Sequence, residues 1–176
     1  MHELLHSFDR TFARYIQLLP SWVSPIMNAA TFLGEPAVVV SLAVAIALAA
    51  WIKQSRRLAY SQAAVLVAMG FNTIIKYSVH RSRPDTMYVA HMRIHSYSFP
   101  SGHSFGATVF YGLLAYLAWS RLPHPWNLLV VLLLVLLIIL VGLSRVYLGA
   151  HFPSDVVVGW LLGGLSLFVI IKYIRP

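Results

Sequence analysis

The chain contains no cysteine. That excludes a disulfide framework, a thiolate nucleophile and any cysteine-based metal site. Acids are almost as scarce. Only Glu3, Asp9, Glu35, Asp85 and Asp155 carry carboxylates in 176 residues. Hard divalent cations need several carboxylates, so metal-assisted chemistry has few ligands to draw on. Charged residues make up 10% of the chain and hydrophobic residues 59%. This balance suits a multi-span membrane protein and not a soluble globular one. A nucleotide-binding glycine loop, a zinc-type spacing, internal repeats, low-complexity tracts and linkers are also missing. The 176 residues are read as a single membrane-embedded domain, with residues 1–35 as an interfacial N-terminal segment and 36–176 as a helix bundle.

What the chain does have is positive charge, a formal +8. A basic soluble domain would raise nucleic acid as a partner. Here the cations fall into short connections between apolar runs and into three motif blocks, so the lipid bilayer and phosphate are the better partners, and nucleic acid is not expected.

Five apolar runs are long enough to span, or nearly so: 37–52, 58–75, 104–119, 126–143 and 156–174. A span takes about 20 residues, or about 17 when short. Residues 18–33 are apolar but broken by Pro20, Ser21, Ser24 and Pro25, which predicts a short interfacial or re-entrant helix, or a sixth span. Near the N-terminus, Leu4, Leu5, Phe8, Phe12, Tyr15 and Ile16 recur at three- and four-residue steps. Acids, histidines, Arg10 and Arg14 interrupt them, which is wrong for a signal peptide and right for an amphipathic helix. The expected fold is an all-α polytopic membrane bundle of five to six transmembrane helices with an N-terminal amphipathic helix. Trp51, Trp119, Trp126 and Trp160 fall near span ends, as an aromatic belt requires. Lys53, Arg56, Arg57, Arg121, Lys172 and Arg175 share one side of a five-span layout, which the positive-inside rule makes cytoplasmic. Residues 77–103 and 144–155 then face the extracytoplasmic side of a membrane expected to be a bacterial plasma membrane.

All three motif blocks lie in or beside those two outer segments. The block nearest the C-terminus places His151 and Asp155 four residues apart, with Pro153 suited to a first helical turn. Both side chains then share a face. A bond from His151 Nδ1–H to the Asp155 carboxylate would fix the tautomer, leave Nε2 with a lone pair for nucleophilic attack, and stabilise the imidazolium that forms. A second block, Pro100-Ser101-Gly102-His103, opens the third span. A helix N-terminus binds anions, Gly102 allows close approach, Ser101 offers a hydroxyl donor, and His103 can act as acid and then base. Lys76, Arg83 and Arg145 supply three cations able to neutralise a phosphoryl transition state without metal.

Alone, each of these residues has an ordinary explanation as an anchor or a cap. Their joint occurrence on one side, in complementary roles, carries the argument. His80 and Arg81 are ranked behind Arg83. Asp85, His91, Arg93, His95 and Tyr97 are candidates for headgroup contact or for no role. Tyr147 is read as packing or as a pocket wall.

The segments running from Lys76 to Arg83-Pro84, from Pro100 to His103, and from Ser144-Arg145 to His151 and Asp155 resemble the three-part signature of the type 2 phosphatidic acid phosphatase superfamily. The resemblance covers residues 76–160 strongly and the hydrophobic layout elsewhere loosely. The scarcity of carboxylates predicts a metal-independent reaction with no cofactor, and the resemblance implies an extracytoplasmic site and a phosphohistidine intermediate on His151. It also implies His103 as acid and then base, and phosphate held by Lys76, Arg83, Ser101, Gly102 and Arg145. Members hydrolyse phosphatidic acid, phosphatidylglycerophosphate or polyprenyl diphosphates such as undecaprenyl diphosphate. Soluble vanadium haloperoxidases share the signature, but the apolar runs argue against that branch. A lipid phosphotransferase, or a non-catalytic lipid-phosphate-binding or transport protein, would carry the same residues.

Overall fold

A computed structural model describes residues 2–92 and 96–174. Arg93, His95 and Arg175 lie outside the described residues. The elements are α1 (His2–Gln17), α2 (Ser24–Leu33), α3 (Pro36–Ile52), α4 (Arg56–Val79), α5 (Met87–His91), α6 (Gly102–Arg121), α7 (Trp126–Tyr147) and α8 (Pro153–Ile174). No strand occurs among the described residues.

The boundaries follow local chemistry. Proline opens α3 and α8 and sits in the first turn of α2, where its missing N–H costs nothing. Thr86 caps α5 by accepting from the Val89 N–H at 3.3 Å, and Ser101 caps α6. A left-handed His80 ends α4.

Helix α6 is the axis of the bundle and packs against α3, α4, α7 and α8. Phe105, Ala107, Val109, Phe110 and Leu113 fill the core around it. Close approach is made possible where α8 presents glycine. A Cβ on Gly159 would meet the Ser101 carbonyl at 2.9 Å, so α8 can lie directly against the first turn of α6. On its outer side α7 exposes Leu128, Leu129, Leu132, Leu133, Leu136 and Ile139. That face suits acyl chains and would be aberrant in water.

The five longest non-N-terminal helices coincide with the five apolar runs. By length and composition α4, α7 and α8 qualify as membrane spans. The pair formed by residues 21–33 and α3, bent by 49°, counts as a fourth if taken as one broken span. This is fewer than the five to six expected. Helix α3 alone has only 17 residues, and α6 carries glycine, serine, threonine and histidine because other helices, not lipid, surround much of it. Trp51, Trp119 and Trp126 are exposed as belt residues should be, whereas the Trp160 ring lies over Gly142 inside the bundle.

The N-terminal helix departs most from expectation. Helix α1 does expose Leu4, Leu5, Phe12 and Tyr15, as an interfacial amphipathic helix would. It also packs on α7 and α8 and buries Asp9, which is only 1% exposed.

Candidate active site

The three motif blocks meet at one end of the bundle. Lys76 comes from the last turn of α4, Arg83 from the following loop, Gly102 and His103 from the first turn of α6, Arg145 from the last turn of α7, and His151 from the α7–α8 connection. Together they line a cavity of about 260 Å³. The connection is held by a left-handed Gly149 (φ 71°) and by the Ala150 and His151 amides, which both donate to the Arg145 carbonyl at 2.9 and 3.2 Å. A side chain at Gly149 would be strained and would also meet Thr86 at 2.8 Å. This turn folds His151 back beside Arg145.

His151 is 3% exposed. The Arg83 guanidinium lies 3.2 Å from its Nε2. Arginine can only donate, so a neutral His151 must present the Nε2 lone pair there and carry its proton on Nδ1. Nδ1 lies 3.5 Å from Asp155 Oδ2. That is ion-pair range but longer than the hydrogen bond expected from the sequence, and Nδ1 has no hydrogen-bond partner. The reason is competition for the carboxylate. Asp155 Oδ2 accepts from the Phe152 N–H at 3.0 Å, and Oδ1 is taken by Arg81 at 2.5 Å. Burial, reinforced by Arg83, Arg145, Lys76 and His103, holds the His151 pKa well below the usual imidazole value. The ring is therefore neutral near pH 7.

The cations are held in position by oxygen atoms that carry no charge. Lys76 Nζ donates to the Tyr97 and Pro100 carbonyls at 2.7 and 2.9 Å. Arg83 donates to the Ser96 and Ala150 carbonyls at 2.7 and 2.8 Å. Its pKa is lowered to about 10 by burial and by Arg145, which still leaves it cationic. Arg145 is 3% exposed, donates to the Thr31 hydroxyl, and has an Nε with no partner. Among the described residues none of these three cations forms a salt bridge. Arg145 is buried and Lys76 and Arg83 are half-buried, so their unbridged charge costs free energy that an anion in the cavity would offset.

Two expected site residues do not face the cavity. Asp155 is fully buried behind His151, as an orienting group should be. Ser101 is also fully buried, and its Oγ accepts from the Ser104 N–H and hydroxyl at 3.4 and 3.1 Å. Its hydroxyl caps α6 instead of pointing at a ligand. The variant Ser101→Ala is therefore expected to cost about 1 kcal/mol of stability and to leave KM within twofold, measurable by thermal unfolding and kinetics in detergent.

Two acids, Glu35 and Asp9, and one arginine, Arg81, were not anticipated in their actual roles. Glu35 Oε2 lies 2.9 Å from His103 Nε2 at the cavity wall. Arg81 bridges Asp155 and Asp9, at 2.5 and 2.7 Å. The sequence did offer one signal, since a chain with five acids has little reason to place any of them near lipid without a partner. Tyr147 bonds Ser24 at 2.7 Å and is a packing residue. His80 meets the Tyr97 ring edge-on, with centroids 4.5 Å apart.

An all-helical membrane bundle with a buried neutral imidazole facing unpaired cations defines a membrane protein that handles phosphoryl groups. The chain belongs to the PAP2 superfamily, whose profile matches residues 37–176. It is 34% identical over 157 residues to phosphatidylglycerophosphatase B of Bacillus subtilis, covering 86% of this chain and 74% of that protein. It is 31% identical over 111 residues to an undecaprenyl-diphosphatase of Sulfolobus acidocaldarius, covering 61% of this chain and half of that one. The fold superimposes on the crystal structure of a transmembrane PAP2 type phosphatidylglycerolphosphate phosphatase from Bacillus subtilis. The TM-score is 0.84 at 29% identity, covering 97% of this chain and 86% of that one. Aquifex aeolicus LpxE shares the fold at a TM-score of 0.66, with 22% identity over 93% of this chain and 94% of that one.

Proposed function

We propose that this PAP2 member is a lipid phosphate phosphatase that removes the terminal phosphate of a membrane lipid phosphate or diphosphate through a phosphohistidine on His151, without metal. The observation that carries the reading is the single cavity where three cations, Arg145 buried and Lys76 and Arg83 half-buried, form no salt bridge among the described residues and a neutral imidazole presents its lone pair.

His151 Nε2 attacks phosphorus, and the bond from phosphorus to the lipid oxygen breaks. His103 gives that oxygen a proton. Glu35, 2.9 Å from His103 Nε2, orients the ring for this step. A water then loses a proton to His103, attacks the phosphohistidine, and releases phosphate with His151 restored. Lys76, Arg83 and Arg145 neutralise the charge that spreads over the equatorial oxygens in both steps. Asp155 stabilises the positive ring formed in the first step.

A lipid substrate is favoured by a second cavity of about 430 Å³. It shares Pro36, Lys76 and Gly102 with the first and continues along Val40, Leu66, Met69 and Phe105. These apolar walls suit a hydrocarbon chain whose headgroup sits among the cations. The cavity is proposed to open on the extracytoplasmic face of a bacterial plasma membrane, because Lys53, Arg56, Arg57 and Arg121 lie at the opposite helix ends.

Phosphate release from phosphatidylglycerophosphate, phosphatidic acid and undecaprenyl diphosphate in detergent, with no acceptor added, tests the reading. Turnover of at least one supports it. Release only when an acceptor alcohol is present would make the protein a phosphotransferase. Because cations replace metal, excess chelator should leave the rate within about twofold. Loss of activity in chelator, restored by a divalent ion, would contradict the mechanism.

A further inference from the structure

Arg81 and Asp9 have no part in the reaction as written, yet with Asp155 they form the shortest ion pairs among the described residues. Arg81 donates to Asp155 Oδ1 at 2.5 Å, to the Ser154 hydroxyl at 2.8 Å and to Asp9 Oδ2 at 2.7 Å. Asp9 in turn accepts the Ser154 N–H and hydroxyl, both at 2.8 Å. It thereby satisfies an orphan donor in the first turn of α8. The Arg81 guanidinium also lies over the Phe152 ring at 4.3 Å, beside His151. The two carboxylate side chains are almost wholly buried, at 2% and 0% exposed. Helix α1 is pinned a second time where Gln17 donates to the Val146 carbonyl at 3.1 Å. Residue 9 precedes the segment that matches the family profile.

We infer that α1 is part of the catalytic apparatus: Asp9 positions Arg81, and Arg81 positions the Asp155 carboxylate behind His151. This rests on the reading of His151 as nucleophile. The physical argument is a sharing of charge. Arg81 lies between two carboxylates, so its positive charge is divided and Asp155 retains enough negative charge to favour the imidazolium. Without Asp9, Arg81 would neutralise Asp155 alone and lose the anchor that fixes its fork. The groups that face His151 are Lys76 of α4, Arg83 of the next loop, His103 of α6, Arg145 of α7 and Asp155 of α8. Behind Asp155 stand Arg81 and, from α1, Asp9. Glu35 lies across the same cavity. Only the cluster behind Asp155 changes in the variants below.

The test is the pH profile of kcat/KM for phosphate release by the full-length protein in detergent, with kcat and KM resolved. Asp9→Asn should lower kcat roughly 10- to 100-fold, the loss typical of a misplaced catalytic group, with KM within twofold. Its acid limb should move to lower pH, because an uncompensated cation makes the His151 ring harder to protonate. Adding Arg81→Gln to Asp9→Asn restores the net charge of the cluster but not its geometry. The limb should then return towards wild type while kcat stays low. Arg81→Lys keeps the charge and loses the fork, and should lower kcat without moving the limb. It carries the test if Asp9→Asn does not fold. Wild-type kcat in Asp9→Asn or Arg81→Lys overturns the inference, as does a loss in Asp9→Asn with an unmoved limb, which marks a structural role only. His151→Ala is assayed alongside. Full turnover there overturns the nucleophile reading, whereas an inactive His151→Ala beside an unaltered Asp9→Asn removes the role of α1 alone.

Discussion

His151→Ala is expected to lose turnover by roughly 10⁴- to 10⁶-fold, the scale seen when a covalent nucleophile is deleted. On the proposed mechanism the substitution removes the atom that forms the bond to phosphorus. His103 is bonded to Glu35 at 2.9 Å, the Ser96 hydroxyl accepts from Arg83 at 3.0 Å, and Lys76, Arg83 and Arg145 are cations. Binding should survive, because Lys76, Arg83 and Arg145 are held by backbone carbonyls and the Thr31 hydroxyl, with only one of the Arg83 contacts reaching His151. A non-hydrolysable lipid phosphonate should therefore bind the variant within a few-fold of wild type. Loss of binding together with turnover would show instead that His151 is a structural part of the cavity. Unchanged turnover would remove it from the chemistry.

Arg145→Met is expected to lower kcat by roughly 10²- to 10⁴-fold, the range for removing a preorganised donor or a phosphate-binding arginine from a transition state. This guanidinium is nearly fully buried, its Nε has no partner, and it forms no salt bridge among the described residues. The same facts give stability the opposite sign. A buried charge is expensive, and a well-packed apolar side chain of similar length is often neutral or stabilising in its place. Thermal unfolding should show a Tm equal to or above that of wild type. A variant that is inactive and also strongly destabilised would mean that Arg145 is a bridge between α7 and α2 through Thr31, with no special relation to phosphate.

Much of this was legible in the sequence because the relevant physics is local. Helix positions follow from apolar run length and from proline and serine at helix starts, so the five long helices fall where the runs lie. The joint motif also led to the expectation that Lys76, Arg83, Gly102, His103, Arg145 and His151 share one side, and all six line one cavity at one end of the bundle, because each lies at or next to a helix end whose side could be reasoned out. What was not legible depends on packing between distant elements. The Ser101 hydroxyl turns inward because Ser104 lies one helical turn away and α8 closes over it at Gly159. The His151–Asp155 contact is long because Arg81 claims one carboxylate oxygen and the Phe152 amide the other. Periodicity made α1 an interfacial helix, and the exposed leucines agree. Nothing in that periodicity could show that Asp9 would reach across to Ser154 and Arg81, 145 and 72 residues away. By length and apolarity alone three helices, or four with the bent pair, qualify as spans, because α6 carries polar residues where protein surrounds it and α3 is short.

The central claim is that the phosphoryl group passes through a covalent bond to His151 Nε2. Rapid acid-free quenching of a reaction with ³²P-labelled phosphatidylglycerophosphate or undecaprenyl diphosphate, followed by peptide mapping, tests it most directly. The account predicts a base-stable, acid-labile label on the peptide carrying His151, absent from His151→Ala. A label on another residue, or single-turnover release of phosphate with no labelled protein at any time, would contradict it.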